Sequence, residues 1–215
     1  MLFRSHGWLF QYATELKRRS LKLPFECISR ADRLTPKVTE TLAEMGCFRV
    51  WIGSESGSQR ILDAMERGVT VEQVQNAVAF CRANEIQTGM FLMWGYQGEE
   101  LSDIEATIQH VKKTDPDIFF TTVAYPIKGT PYFSEVDSRV ESSKPWHLGS
   151  DRELRIRGRR SRRYYSFADQ LLRSEVDLDR LRRKSACDAS AIAALQTRIA
   201  DARAGLNATA SEMEV

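Results

Sequence analysis

The chain has 215 residues, of which 42% are hydrophobic and 28% charged, the balance of an ordinary soluble globular protein with room for one full domain and an appendage. No apolar run approaches the roughly 20 residues a membrane helix needs, so no membrane span is expected. The net charge of +2 is too slight to imply a nucleic-acid partner by itself.

The first segment, "MLFRSHGWLFQYATELKRRS", lacks the apolar core and cleavage site of a secretory signal and predicts an amphipathic helix with a basic end. The expected compartment is the cytoplasm. Cys27, Cys47, Cys81 and Cys187 are scattered without a Cys-x-x-Cys pair, which fits reduced thiols packed as small core residues.

From about Ser20 to Phe133 short apolar runs alternate with helical patterns, the rhythm of repeated βα units and a parallel sheet. A strand is expected at Leu23–Ser29. A helix over Thr35–Gly46 opens with Thr35 as N-cap and a proline behind it, and ends on Gly46. "CFRVWIG" (Cys47–Gly53) is the next strand, and the glycine-serine turn around Glu55 leads into a helix, "SQRILDAMERG", that stops at Gly68. Thr70 caps a further helix with Val71, Val74, Ala77, Val78 and Cys81 on one face.

"IQTGMFLMWG" (Ile86–Gly95) is apolar almost throughout, as suits a strand covered on both sides. "LSDIEATIQHVKKT" is a helix, with Ser102 expected as its cap, Lys112 and Lys113 at its negative end, and His110 expected on the surface. "DIFFTTVAY" (Asp117–Tyr125) is the last strand of the series. Beyond Pro126 the chain is turn-rich, then intensely basic in "RELRIRGRRSRR", then helical, and "GLNATASEMEV" is expected to be disordered. Two domains are drawn, 1–136 and 137–215, the second a basic, mostly helical extension with a flexible end.

In parallel βα folds, ligand-binding groups gather where strands finish. All four strand ends are polar and glycine- or proline-rich: "ISRAD", "GSESGS", "MWGYQGEE" and "VAYPIKGTPY". Arg30 can hold a carboxylate with two hydrogen bonds, Glu55 can accept from an ammonium or a ribose hydroxyl, and the glycines let a ring lie against backbone, so a zwitterionic or ribose-bearing small molecule fits. Taken singly, Glu55 is also a carboxylate favoured by the following helix dipole, and Arg30 with Asp32 a surface ion pair. Neither a dinucleotide glycine motif nor a phosphate loop occurs, and His6, His110 and His147 have no metal-ligand spacing.

Four motifs in combination, "FECISRADRL", "GCFRVWIGSESGSQRILDAMERGVTVEQV", "GMFLMWGYQGEELSDIEATI" and "PDIFFTTVAYPIKGTPYF", resemble the later part of a radical S-adenosylmethionine (SAM) enzyme core of the cobalamin-binding class. The similarity is to the group that includes the anaerobic magnesium-protoporphyrin cyclase and cobalamin-dependent methylases. The resemblance implies an α/β fold, the C-terminal part of a (β/α)6 partial TIM barrel with an α-helical C-terminal extension. It implies that Glu55, with Ser54 and Ser56, meets the ribose or methionine part of SAM and that Arg30 serves the methionine end. The strand carrying Met93 and Gly95 would pack against adenine, and Tyr125 with Pro126 would meet the adenine edge.

The cofactors implied are SAM and, in the complete protein, a [4Fe-4S] cluster and cobalamin. The cluster's Cys-x-x-x-Cys-x-x-Cys motif occurs nowhere in these residues, and Cys27, Cys47 and Cys81, on separate strands and a helix, do not replace it. Three origins fit: an N-terminally truncated frame, half of a split protein that needs a companion chain, or a fold that has lost the chemistry and serves as an interaction module. A barrel enzyme using Glu55 and Glu99 as acid and base is a further alternative. The expected partner is a small-molecule substrate, with nucleic acid not expected and an open sheet edge inviting self-association.

Overall fold

In the computed structural model, residues 6–142, 144–184 and 188–214 are described. Residues 1–5 and Cys187 of the sequence reading lie outside them. The described chain divides into two compact units, one of residues 1–92 and 100–122, the other of residues 93–99 and 123–215.

The chain begins with α1 (His6–Arg18), β1 (Phe25–Ser29), α2 (Pro36–Met45) and β2 (Cys47–Glu55). The expected caps form. The Thr35 hydroxyl accepts from the Val38 N–H, and Gly46 ends α2 in the left-handed region at φ 102°. Next come α3 (Gln59–Ala64), α4 (Val71–Ala83), β3 (Gln87–Trp94), α5 (Leu101–Thr114) and β4 (Ile118–Val123). Thr70 and Gln73 make a reciprocal capping box at the start of α4.

Two local expectations differ. The helix after Glu55 is one short segment, because the backbone turns left-handed at Glu66 (φ 52°) and again at Gly68 (φ 61°). Helix α5 is capped by Glu100 rather than Ser102, and the Glu100 N–H donates to Asp103 at 2.8 Å.

The strands form one sheet in the order β1-β2-β3-β4, with β1–β2 and β2–β3 parallel. This is the α/β architecture the βα rhythm implies. Along β2 burial alternates: Val50, Ile52 and Ser54 are fully buried, while Arg49, Trp51, Gly53 and Glu55 stand on the other, more open face. On that open face Trp51 stacks on Phe91 (5.1 Å between centroids) and on Phe120 (5.5 Å). Gly89 makes room for it, since a Cβ there would lie 2.2 Å from the indole Cε3.

The buried face of the sheet in the first unit is covered by helices contributing Val38, Leu42, Val74, Val78, Ile104, Ile108 and Val111. Cys27, Cys47 and Cys81 are buried there as free thiols. Burial, with the Cys47 thiol nearby, raises the Cys81 pKa to about 12, and the Cys47 thiol together with burial pushes Cys27 up as well.

The second unit contains α6 (Pro131–Val136), the antiparallel pair β5 (Val140–Glu141) and β6 (Arg155–Ile156), α7 (Arg162–Arg183) and α8 (Ala189–Ala208). Helices α7 and α8 pack together, with Gly205 against the Phe167 ring and Arg203 paired to Glu175 at 3.2 Å. The terminal segment expected to be disordered is instead helical to Ala208 and then hydrogen bonded. Glu214 is buried against Arg159 at 2.7 Å and also accepts from the Ile156 N–H, while Met213 bridges to Arg160. The arginine run is therefore partly turned inward. Among the described residues no helix is long and apolar enough to cross a membrane.

Candidate functional site

The turn "GSESGS" is held by α5. Ser54 Oγ lies 3.1 Å from His110 Nε2, Ser56 Oγ 3.2 Å from Thr107 Oγ1, and Ser58 Oγ donates to Asp103 at 2.6 Å. Asp103, Thr107 and His110 fall at i, i+4 and i+7, so one face of α5 presents all three. Gly57 lets the turn lie directly on that helix: a Cβ there would be 2.5 Å from the His110 Cβ and 2.6 Å from the Thr107 Cα. His110 is thus buried, not a surface residue, and burial with help from Lys113 holds its pKa down to about 4. Asp103 is burdened by burial but stays below the usual carboxylate range because Ser58, the Glu100 N–H and Arg60 all donate to it.

With the Ser54, Ser56 and Ser58 hydroxyls all taken up by α5, the group the turn presents on the open face is Glu55. The strand pairing skips at this point, so that Gly53 pairs with Phe91 and Glu55 with Leu92, and Glu55 adopts φ 58°. A bulge at a strand end re-aims the side chain that follows it. The Glu55 carboxylate is mostly buried and pairs with Arg67 at 2.9 Å. Burial raises its pKa and Arg67 offsets part of that rise.

Arg67 was not singled out from the sequence. It lies in the short loop between α3 and α4, placed there by the left-handed turns at Glu66 and Gly68. Its Nε is buried with no hydrogen-bond partner among the described residues. The next residue, Gly68, offers its carbonyl to Arg30 Nη2 at 3.3 Å, and Arg30 is forked onto Asp32 at 2.9 and 3.2 Å. The ends of β1 and β2 are joined in this way through one loop. Gly53 leaves the space beside them open, since a Cβ would come within 3.0 Å of Glu55 Oε1 and 3.2 Å of Arg67 Nη2.

These groups fit a small polar molecule bearing both acceptors and a cationic or hydroxylic donor: Arg67 Nε offers a desolvated donor, Glu55 an acceptor, and Arg30 a second cation. They do not fit an iron-sulfur cluster. The Cys27 and Cys81 thiols are held in their neutral form in the helix-covered layer, and among the described residues no three His, Cys, Asp or Glu side chains are arranged to hold a metal ion.

The remaining predicted residues belong to the second unit. Met93 is half-buried near the end of β3; Gly95, at φ 74°, faces Tyr165, whose Cζ would be 2.7 Å from a Cβ placed there. Tyr125 lies under the Arg152 guanidinium at 5.7 Å, and Pro126 is buried.

Parallel βα units feeding one four-stranded sheet resemble part of a βα barrel. Residues 7–111, just under half of the chain, match the model of the radical SAM superfamily. An uncharacterised methyltransferase of Pyrococcus horikoshii is 34% identical over 116 residues, 54% of this chain and 25% of the relative. A tRNA-2-methylthio-N6-dimethylallyladenosine synthase of Carboxydothermus hydrogenoformans is 33% identical over 115 residues, 52% of this chain and 26% of the relative. The anaerobic magnesium-protoporphyrin IX monomethyl ester cyclase of Rubrivivax gelatinosus is 23% identical over 133 residues, 61% and 24% respectively.

Among solved structures, the radical SAM methyltransferase TsrM of Kitasatospora setae superposes with a TM-score of 0.55 at 18% identity, covering 68% of this chain and 33% of that one. The fold is thus that of radical SAM partial barrels. The matched part of the chain spans about a quarter of the length of these curated relatives.

Proposed function

We propose that this chain supplies the SAM-holding later half of a radical SAM barrel. The observation that carries the reading is the buried, unsatisfied Arg67 Nε beside the Glu55 carboxylate, at a strand end within the radical SAM match. A buried donor without a partner costs roughly 1–3 kcal/mol, which an arriving acceptor relieves. Arg67 and Arg30 would take the carboxylate end of the methionine part, and Glu55 the ribose hydroxyls or the ammonium. Ser54 and Ser56 would serve through the turn they anchor.

In the complete protein, SAM with a [4Fe-4S] cluster and cobalamin would supply radical or methyl-transfer chemistry on a small-molecule substrate, the cluster thiolates coming from residues outside this sequence. This chain's own part is to bind and orient SAM. The free thiols agree with a reducing, cytoplasmic setting.

The test is thermal unfolding of the chain with and without SAM. A ligand at about 100 times its Kd stabilises by about 2.7 kcal/mol, which moves the melting temperature by several degrees. No shift at millimolar SAM overturns the proposal.

A further inference from the structure

The second unit contains a cavity of about 230 Å³ lined by none of the strand-end groups Arg30, Glu55 and Arg67. Its lining includes the aromatic and aliphatic side chains of Tyr132, Tyr165, Val136, Ile156 and Met213. Val136 and Ile156 are fully buried, and Tyr132 stacks on Tyr96 at 4.9 Å between centroids. The Tyr132 and Tyr165 hydroxyls are held in their neutral form, first by burial.

The lining is rich in arginine as well, and the cavity is cationic. Arg139, Arg159 and Arg160 line it, with Glu99 as the single carboxylate among the lining residues. The arginines differ in how far they are committed. Arg159 is locked onto Glu214 by two hydrogen bonds of 2.7 and 3.0 Å and also donates to the Ala124 carbonyl, so its charge is balanced within the wall. Arg160 donates to the Ala210 carbonyl and lies over the Tyr164 ring at 4.8 Å, contacts that fix its position and leave its charge uncompensated. Arg139 meets Gln97, a neutral partner, at 2.9 Å. Glu99 accepts from the Gly95 N–H at 2.7 Å and offsets one of these two positive charges.

The walls therefore carry a net charge of about +1 together with aromatic and aliphatic groups. That arrangement matches a monoanion with a planar body, and a doubly charged phosphate would meet the Glu99 carboxylate unfavourably. A ring of one or two fused six-membered cycles has the volume this cavity offers, and aromatic walls favour flat ligands.

We propose that this cavity is a binding site for a small aromatic monocarboxylate, its ring against Tyr132 and Tyr165 and its carboxylate on Arg139 and Arg160. The site belongs wholly to the second unit and stands independently of SAM binding.

The probe is 2-naphthoate, titrated calorimetrically into the full chain, with neutral 2-naphthamide and inorganic phosphate as comparison arms. Naphthoate binds at one site, naphthamide at least tenfold more weakly, and phosphate does not displace it. Arg139→Gln, at a half-buried position without an ion pair of its own, weakens naphthoate at least tenfold at an unchanged melting temperature, because it removes a charge-assisted donor pair. Tyr132→Leu weakens both aromatic ligands alike. Equal binding of acid and amide, or full naphthoate affinity in Arg139→Gln, overturns the proposal, as does displacement by phosphate. Glu55→Gln leaves naphthoate binding unchanged, so failure here and failure of the SAM reading are separate results.

Discussion

Acidification should destabilise the first unit through His110 in a window set by that one residue. The imidazole is 2% exposed, its Nε2 is 3.1 Å from Ser54 Oγ, and its pKa is held down to about 4. In the unfolded chain a histidine titrates near 6.5. Between these values the unfolded state binds the extra proton and the folded state does not, so stability is full above about pH 6.5, declines as pH falls, and levels off below about 4. The gap is worth about 3 kcal/mol when complete and about 2.5 kcal/mol by pH 4.5, at 1.36 kcal/mol per pKa unit. The assay is urea unfolding followed by tryptophan fluorescence at pH 7 and pH 4.5, for wild type and His110→Gln. Carboxylates titrate in both proteins, so the difference between them isolates the imidazole. The variant is less stable at pH 7 and loses about 2.5 kcal/mol less on acidification. Equal pH dependence in the two proteins refutes the buried, neutral histidine and with it the stapled turn.

Other consequences follow from single contacts. Gly89→Ala places a methyl 2.2 Å from the Trp51 ring, so the indole must tilt off Phe91 and Phe120; the expected loss is about 1–3 kcal/mol in urea unfolding, with altered tryptophan emission. Glu214→Ala strands the buried Arg159 guanidinium and should cost the second unit about 3–5 kcal/mol, read as earlier proteolysis of the α7–α8 hairpin at rising temperature. SAM affinity should fall with pH from above the ordinary carboxylate range, because burial makes Glu55 take up its proton early; titrations at pH 7.5 and 5.5 check the direction.

The βα order, the caps at Thr35 and Thr70 and the stop at Gly46 were legible because each rests on local chemistry that neighbouring residues supply. Glu55 was legible as a polar strand end, but its aim was not, since the bulge that turns it depends on pairing with β3, more than 30 residues away. The serines beside it read as ligand groups because nothing local shows their partners on α5. A signal did exist in α5 itself: Asp103, Thr107 and His110 share a helical face with Ile104, Ile108 and Val111, and a polar stripe inside an apolar face marks a buried network. Arg67 gave no such signal, because its role arises from two left-handed turns in a loop. The tail looked disordered from its composition, yet one carboxylate, Glu214, finds a buried arginine.

The account's central claim is that the β1 and β2 strand ends hold SAM, and calorimetric titration of SAM into wild type, Glu55→Gln, Arg67→Met and Arg139→Gln tests it most directly. Saturable binding by wild type and by Arg139→Gln, weakened at least tenfold (about 1.4 kcal/mol) in each of the two strand-end variants, is the predicted result. Full SAM affinity in Arg67→Met, or none in wild type, contradicts it.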